Sequence, residues 1–240
     1  MDWDARIEAA LVGVCVGEAE AGVPAGAADL LGVAESVAAT GGFDADDLKR
    51  RGLDHPSKSG GAGLLLRAIP FALLTPFDRP RLRRDVHRCV TLAGADEATA
   101  ITAVAASLLT ADLLRLDLET ALVRLRQSLL EDAPTALLDR FRLPSAPADS
   151  NGAADPGAVL QSAIGALGAA EGIDLVAQAA LPASPVAVGL AAALAGARDG
   201  RVALTEQRLR EIPHAESAIA IARRIAERAR ETTLSARSAS

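Results

Sequence analysis

The residues that could bind or transform a ligand are few in this chain of 240 residues. Arg67 follows the glycines Gly60, Gly61 and Gly63. Glycine lets the backbone approach a ligand, and a guanidinium binds a phosphate through paired hydrogen bonds. This stretch could therefore hold an anion. The alternatives are that the glycines form a plain loop and that Arg67 pairs with the end of a helix.

The three histidines have no partner at a catalytic or metal-ligand spacing. They are His55, His87 and His214. Each fits a loop, a helix surface or a helix cap, so we predict neither a Ser-His-Asp arrangement nor a histidine metal site.

One cluster of basic residues stands out in a chain that is acidic as a whole. Its members are Arg79, Arg81, Arg83, Arg84 and Arg88. Asp78 and Asp85 are interleaved with them, which favours a solvated face over an anionic partner. The full chain has 25 Lys and Arg against 31 Asp and Glu, a formal net charge of -6. Such a balance creates no general attraction for phosphate backbones, so we predict no nucleic-acid partner.

The two cysteines indicate a reducing compartment. Cys15 and Cys89 lie far apart and neither belongs to a CxxC or a histidine-flanked motif, which predicts buried free thiols. Acids at Asp2 and Asp4 precede the first apolar run, the wrong charge order for a secretory signal. We therefore expect a cytoplasmic protein.

One uncharged stretch, residues 175–197, is long enough to cross a bilayer. It consists mostly of alanine and glycine and is interrupted by Pro182 and Pro185. This composition predicts a loop followed by a buried helix, and no association with a membrane.

Composition and periodicity predict an all-α fold. Aromatic residues make up 2% of the chain and tyrosine is absent, while alanine is abundant. This favours closely packed helices over strands. Apolar residues recur at three- and four-residue steps in most segments. The main predicted helices cover residues 3–20, 29–37, 97–114, 118–130, 157–170, 173–180, 186–197, 205–210 and 216–231.

Further helix starts are predicted at Asp44 and at Asp78, where an acid can cap the first turn. The run before Pro70 is predicted to end in a loop, because helices rarely continue through proline. Residues 143–156 are predicted to be a flexible loop. We expect a single domain over residues 1–231 and a flexible tail over 232–240.

Four segments resemble the ADP-ribosylglycohydrolase family of all-α hydrolases. Residues 9–19, AALVGVCVGEA, are similar to its opening helix, with Glu18 where Asp is usual. The AES of residues 34–36 and the GFDADDL of residues 42–48 resemble the family's A-E-S helix and G-F-D-x-x-D-L turn. Residues 61–70, GAGLLLRAIP, are similar to G-N-G-x-x-M-R-x-x-P, and residues 189–197, GLAAALAGA, resemble the final core helix. The resemblance implies a compact helical fold built for ADP-ribosyl groups.

The resemblance also implies where the chemistry should lie, and the sequence departs there. Family members hold two magnesium or manganese ions through a T-D-D segment and a D-x-D-T segment. Residues 24–27, PAGA, and residues 183–186, ASPV, stand at those places. Asp29 would supply a metal carboxylate only if the match slips by two residues, and an acid is also favoured in any first helical turn. Residues 51–59 leave almost no room for the family's D-I-G-x-T-T segment.

These departures predict a metal-free protein of this fold, without a cofactor, that binds an ADP-ribose-like or nucleotide-like ligand or a protein partner. The expected ligand-binding residues are Glu18, Ser59, Gly61, Gly63, Arg67 and Ser184. One alternative is an active hydrolase that removes ADP-ribosyl groups, with Glu18 as its acid or base. The other is a purely structural helical module.

Overall fold

The computed structural model describes residues 2–24, 26–130, 133–139, 155–200 and 204–238. Helices and their connections account for all of these residues, without a strand. The helices are α1 (Trp3–Ala21), α2 (Ala27–Thr40), α3 (Ala45–Arg50), α4 (Gly60–Leu74), α5 (Arg79–Leu92), α6 (Glu97–Leu113), α7 (Leu118–Leu129), α8 (Thr135–Asp139), α9 (Pro156–Ala169), α10 (Ile173–Ala180), α11 (Pro185–Asp199), α12 (Glu206–Glu211) and α13 (Ala215–Ser238). The all-α prediction is confirmed.

Short polar side chains begin most of the helices, because their oxygens accept hydrogen bonds from amides that have no partner in the first turn. Asp44 caps α3 and Asp78 caps α5, as predicted, and Asp117 caps α7. Of the flexible loop predicted at residues 143–156, residues 143–154 lie outside the described residues. The prediction was wrong for the last two residues, because Asp155 caps α9 and Pro156 is its first residue.

Two predicted boundaries were wrong. Pro70 does not end a helix but lies inside α4, which continues to Leu74. A proline in a helix costs about 3 kcal/mol, whereas burying one large apolar side chain contributes about 2 kcal/mol. Residues 62–74 are all buried, so packing outweighs the lost backbone hydrogen bond. The last helix also continues past Glu231, to Ser238.

The centre of the fold is the antiparallel pair formed by α1 and α11. Small residues bring the two backbones into contact: an added Cβ at Gly13 would lie 2.3 Å from the Ala192 carbonyl oxygen, and one at Gly196 would lie 2.2 Å from the Ala9 oxygen. Helices α2, α4, α10 and α13 pack around this pair. Nearly all of α11 is buried, in agreement with the prediction for residues 186–197. Within the described ranges, none of the helices has the length and apolar character that crossing a bilayer requires.

The cysteines are buried free thiols, as predicted. Burial raises the pKa of both Cys15 and Cys89 to about 12, and the nearby charge of Glu18 adds to the shift at Cys15. Both side chains therefore stay neutral and serve as packing residues.

Candidate functional site

Glu18 and Ser184 lie at the same end of the α1–α11 pair. Gly17 packs against Val188 and Gly189, where an added Cβ would lie 2.6 Å from the Gly189 Cα. Glu18 is the next residue of α1. Ser184, one turn before Val188, is the N-cap residue of α11. Its hydroxyl accepts a hydrogen bond from the Ala187 amide at 3.2 Å. Both side chains are partly exposed.

Glu18 also fixes the start of α2. Its Oε2 accepts a hydrogen bond from the Ala27 amide at 3.0 Å. The N-cap residue of α2 is Gly26, which has no side chain to supply this bond. A carboxylate from the preceding helix therefore caps α2, and its negative charge favours the helix N-terminus.

Replacing Glu18 with alanine is expected to lower the free energy of unfolding by about 1 kcal/mol, the usual cost of losing a helix cap. Glu18→Gln retains an oxygen acceptor and should lose less than half of this amount. Urea denaturation of the two variants beside the wild type measures the difference. Equal stability of Glu18→Ala and wild type would contradict the capping role.

Arg67 has no exposed surface. Its Nη2 donates to the Asp29 carboxylate at 2.6 Å, and its Nη1 donates to the carbonyl oxygens of Leu53 and His55 at 2.9 and 3.0 Å. Asp29 belongs to the first turn of α2. Arg67 could bind an anion or pair with the end of a helix. In the structure it pairs with the first turn of α2 and with the loop that leads into α4.

The glycines of α4 allow this loop to close over the helix. An added Cβ at Gly63 would lie 2.2 Å from the Ser57 hydroxyl and 3.1 Å from the Ser59 Cβ. At Gly61 it would lie 3.2 Å from the Thr99 hydroxyl. Both glycines therefore serve close packing of the protein's own side chains.

The six predicted site residues thus form one connected region, which we call the candidate region. The Val188 amide donates to the Ser184 carbonyl oxygen, and Val188 packs on Gly17 beside Glu18. Further contacts lead from Glu18 across the first turn of α2 to Arg67, and along the loop to Ser59 and α4. Glu18, Ser59 and Ser184 reach the surface, Gly61 is partly exposed, and Arg67 and Gly63 are buried. No three His, Cys, Asp or Glu side chains of the described residues are grouped so that they could share a metal ion.

Sequence reasoning missed a second polar cluster, which lies between α5, α6 and α7. The Asp112 carboxylate is buried and accepts bonds from Arg79 at 3.1 Å and Arg115 at 3.0 Å, with Arg124 at 3.8 Å. Arg79 also donates to the Ser128 hydroxyl at 2.8 Å. The solvated face predicted for the basic cluster was therefore wrong for Arg79. No pattern in the sequence indicates that Arg79 contacts Asp112, because the two residues belong to different helices and helical spacing relates only residues of one helix.

Arg81 and Arg83 depart from the same prediction. Arg81 donates to the carbonyl oxygen of Gly41, and Arg83 donates to the carbonyl oxygen of Ser128 at 3.0 Å. Both side chains are half-buried, whereas Arg84 and Arg88 are exposed. The basic cluster thus joins α5 to its neighbours and leaves part of its charge at the surface.

The fold is that of the ADP-ribosylglycohydrolases. A solved structure described as an "ADP-ribosylglycohydrolase-related protein complex" matches 95% of this chain and 99% of its own chain, with a TM-score of 0.81 and 19% sequence identity. No protein-family model matches the sequence. No curated protein matches it either. The three-dimensional arrangement is thus shared although little of the sequence is.

Proposed function

We propose that this chain binds an ADP-ribose-like or nucleotide-like ligand at the candidate region, without a metal centre and without hydrolysing the ligand. The observation that carries this proposal is the use of the nearby carboxylates by the protein itself. Glu18 holds the Ala27 amide, and Asp29 holds the buried guanidinium of Arg67.

The residues at this place do not fit a two-metal centre. Magnesium and manganese require several oxygen ligands, usually including carboxylates. The segments that stand where the family has its metal motifs, residues 24–27 and 183–186, contain no acid, and the Ser184 hydroxyl already caps α11. We therefore propose binding without hydrolysis.

Features of the same region favour an anionic, hydroxyl-rich ligand. The start of α4 has no side-chain cap from Ser59 and no acid in its first turn. Amides at a helix N-terminus attract negative charge such as a phosphate. The partly exposed side chains of Glu18, Ser59 and Ser184 carry oxygens that can bond ribose hydroxyls.

A protein partner is the second candidate, and exposed apolar side chains favour it. Val23 follows α1 and is 47% exposed, and Leu181 precedes Ser184 and is 45% exposed. The similar solved structure carries the word "complex" in its description. Exposed apolar side chains of this kind suit a protein surface better than a sugar.

A thermal-shift titration with ADP-ribose tests the proposal, because a ligand that binds only the folded state raises the melting temperature. At ten times the dissociation constant we expect a rise of about 3 to 5 °C for a chain of this length. The rise should be the same with EDTA as with magnesium or manganese. A rise that requires metal would restore the hydrolase interpretation, and the absence of a rise would favour a protein partner or a structural role.

Ser59→Asp locates the binding site in the same assay. The new carboxylate would cap α4 and occupy the place of an anion, so the unliganded protein should melt higher while the effect of ADP-ribose is lost. Thr205→Asp is the matched control, since Thr205 caps the separate helix α12. A full response to ADP-ribose in Ser59→Asp would contradict binding at α4.

A further inference from the structure

We propose that a cleft between α5, α6 and α7 binds a small organic anion, with its carboxylate or phosphate at Arg83, Arg84 and His87 and its apolar body against Ile101, Val104 and Leu129. The cleft has a volume of about 330 Å³. None of its lining residues belongs to the candidate region, and the proposal does not depend on the function proposed above.

Helical spacing builds the two walls of this cleft. Arg83 and His87 are four residues apart on α5 and lie on one face of that helix, with Arg84 beside them. On α6, Glu97, Ile101 and Val104 follow one another at steps of four and three residues and form the facing wall. Leu129, at the end of α7, closes the apolar floor together with the buried Val104.

The charges of the lining favour an anion. Among the lining residues of the cleft, Arg83 and Arg84 are accompanied by one carboxylate, that of Glu97, whose Oε2 lies 3.4 Å from the His87 Nε2. Arg84 bonds Asp85 through Nε at 3.1 Å, and 60% of its side chain is exposed. A guanidinium has five N–H donors, so this bond leaves capacity for a ligand.

The cluster around Asp112 adds to the positive potential beside the cleft. Three arginines surround the one Asp112 carboxylate within 4 Å. Ser128 connects this cluster to the cleft, because its hydroxyl accepts from Arg79 and its carbonyl oxygen accepts from Arg83. In a chain with a formal net charge of -6, this excess of cations is local, and it would attract small anions to the cleft.

The size and lining of the cleft define the class of ligand. Small-molecule sites range over about 300 to 1,000 Å³, so this cleft suits a ligand smaller than a dinucleotide. A charged wall beside an apolar floor suits a molecule with an anionic head and a short hydrocarbon body. A carboxylate and a phosphate monoester share this chemistry, and the test separates them.

Methyl NMR of the 240-residue chain tests the proposal, with resonances of Ile101, Val104 and Leu129 as reporters. The probes are hexanoate, hexyl phosphate, acetate and 1-hexanol, each titrated into the millimolar range where ligands of this size bind. We expect saturable shifts of the three reporters with hexanoate, hexyl phosphate or both, and binding about tenfold tighter than that of acetate or 1-hexanol. The tighter of the two six-carbon anions identifies the preferred head group. Unshifted reporters with both anions, or equal affinity for 1-hexanol, would overturn the proposal.

Charge variants complete the test. Arg84→Gln should weaken binding of the preferred anion about fivefold, and Glu97→Gln should tighten it about threefold because a repelling charge is removed. Arg88→Gln is the matched control on the same helix, since the Arg88 guanidinium lies over the Phe43 ring at 4.7 Å and does not line the cleft. It should leave the affinity within about twofold of wild type. If Arg84→Gln and Arg88→Gln weakened anion binding equally, the effect would be one of general charge, and the proposed site would be wrong.

Discussion

Replacing Arg67 with methionine is expected to lower the free energy of unfolding by about 3 kcal/mol, at the lower end of the cost of breaking a buried ion pair. Methionine fills most of the volume of the arginine stem, so the loss comes from polar groups. Asp29 loses its cationic partner, and the carbonyl oxygens of Leu53 and His55 lose their donor. Partial exposure of the Asp29 carboxylate, at 30%, keeps the cost from being larger.

Urea denaturation measures this loss, and two further variants separate its causes. Arg67→Lys keeps the charge but not the geometry of two donor nitrogens, so it should recover about half of the stability. The double variant Arg67→Met/Asp29→Asn should lose less stability than the two single variants lose together, because the two side chains contact each other. A methionine variant within 1 kcal/mol of wild type would contradict the anchoring role, given the usual cost of about 1 to 3 kcal/mol per unsatisfied buried polar group.

Gly196→Ala is expected to be the second most damaging change, with a net loss of about 2 kcal/mol. Helix propensity alone predicts the opposite sign, since alanine is about 1 kcal/mol more favourable than glycine within a helix. The new Cβ, however, would lie 2.2 Å from the Ala9 carbonyl oxygen and 2.3 Å from its carbon. These are backbone atoms, so α1 and α11 must move apart, which costs about 3 kcal/mol.

Gly32→Ala in α2 is the control for this prediction. It makes the same change inside a helix, but the nearest atom is the tip of the Leu53 side chain, 3.1 Å away, which can move. This variant should be neutral or up to about 1 kcal/mol more stable than wild type. Thermal and urea denaturation of the two variants give the comparison. A Gly196→Ala protein as stable as Gly32→Ala would show that the α1–α11 contact is looser than described.

The local pattern of the chain was sufficient to predict most of the fold. Apolar spacing and the caps Asp44 and Asp78 located helices close to their observed bounds, because these signals act within one or two turns. The end expected at Pro70 was wrong because the packing of α4 is decided by distant residues. The helix end expected at Glu231 was placed too early, since α13 continues to Ser238.

The candidate region was predictable only in part. The comparison with family motifs singled out Glu18, Arg67 and Ser184, and contacts along α11, through Gly17 and through the first turn of α2 connect them. Their roles required the structure: a charged residue in a motif has the same appearance whether it faces a ligand or supports a loop. Burial decides between the two, and burial depends on the whole fold.

The sequence by itself determined the all-α class, most helix positions and the residue types available for chemistry, because propensity, capping and periodicity are local properties. Only the tertiary structure decided that Arg67 is buried beneath the loop that leads into α4. It likewise decided that arginines from three neighbouring segments surround Asp112, and that a cleft lies beside this cluster. Such arrangements join residues far apart in the chain, such as Arg79 and Asp112. Their energies exist only after the helices have packed, so no local pattern contains them.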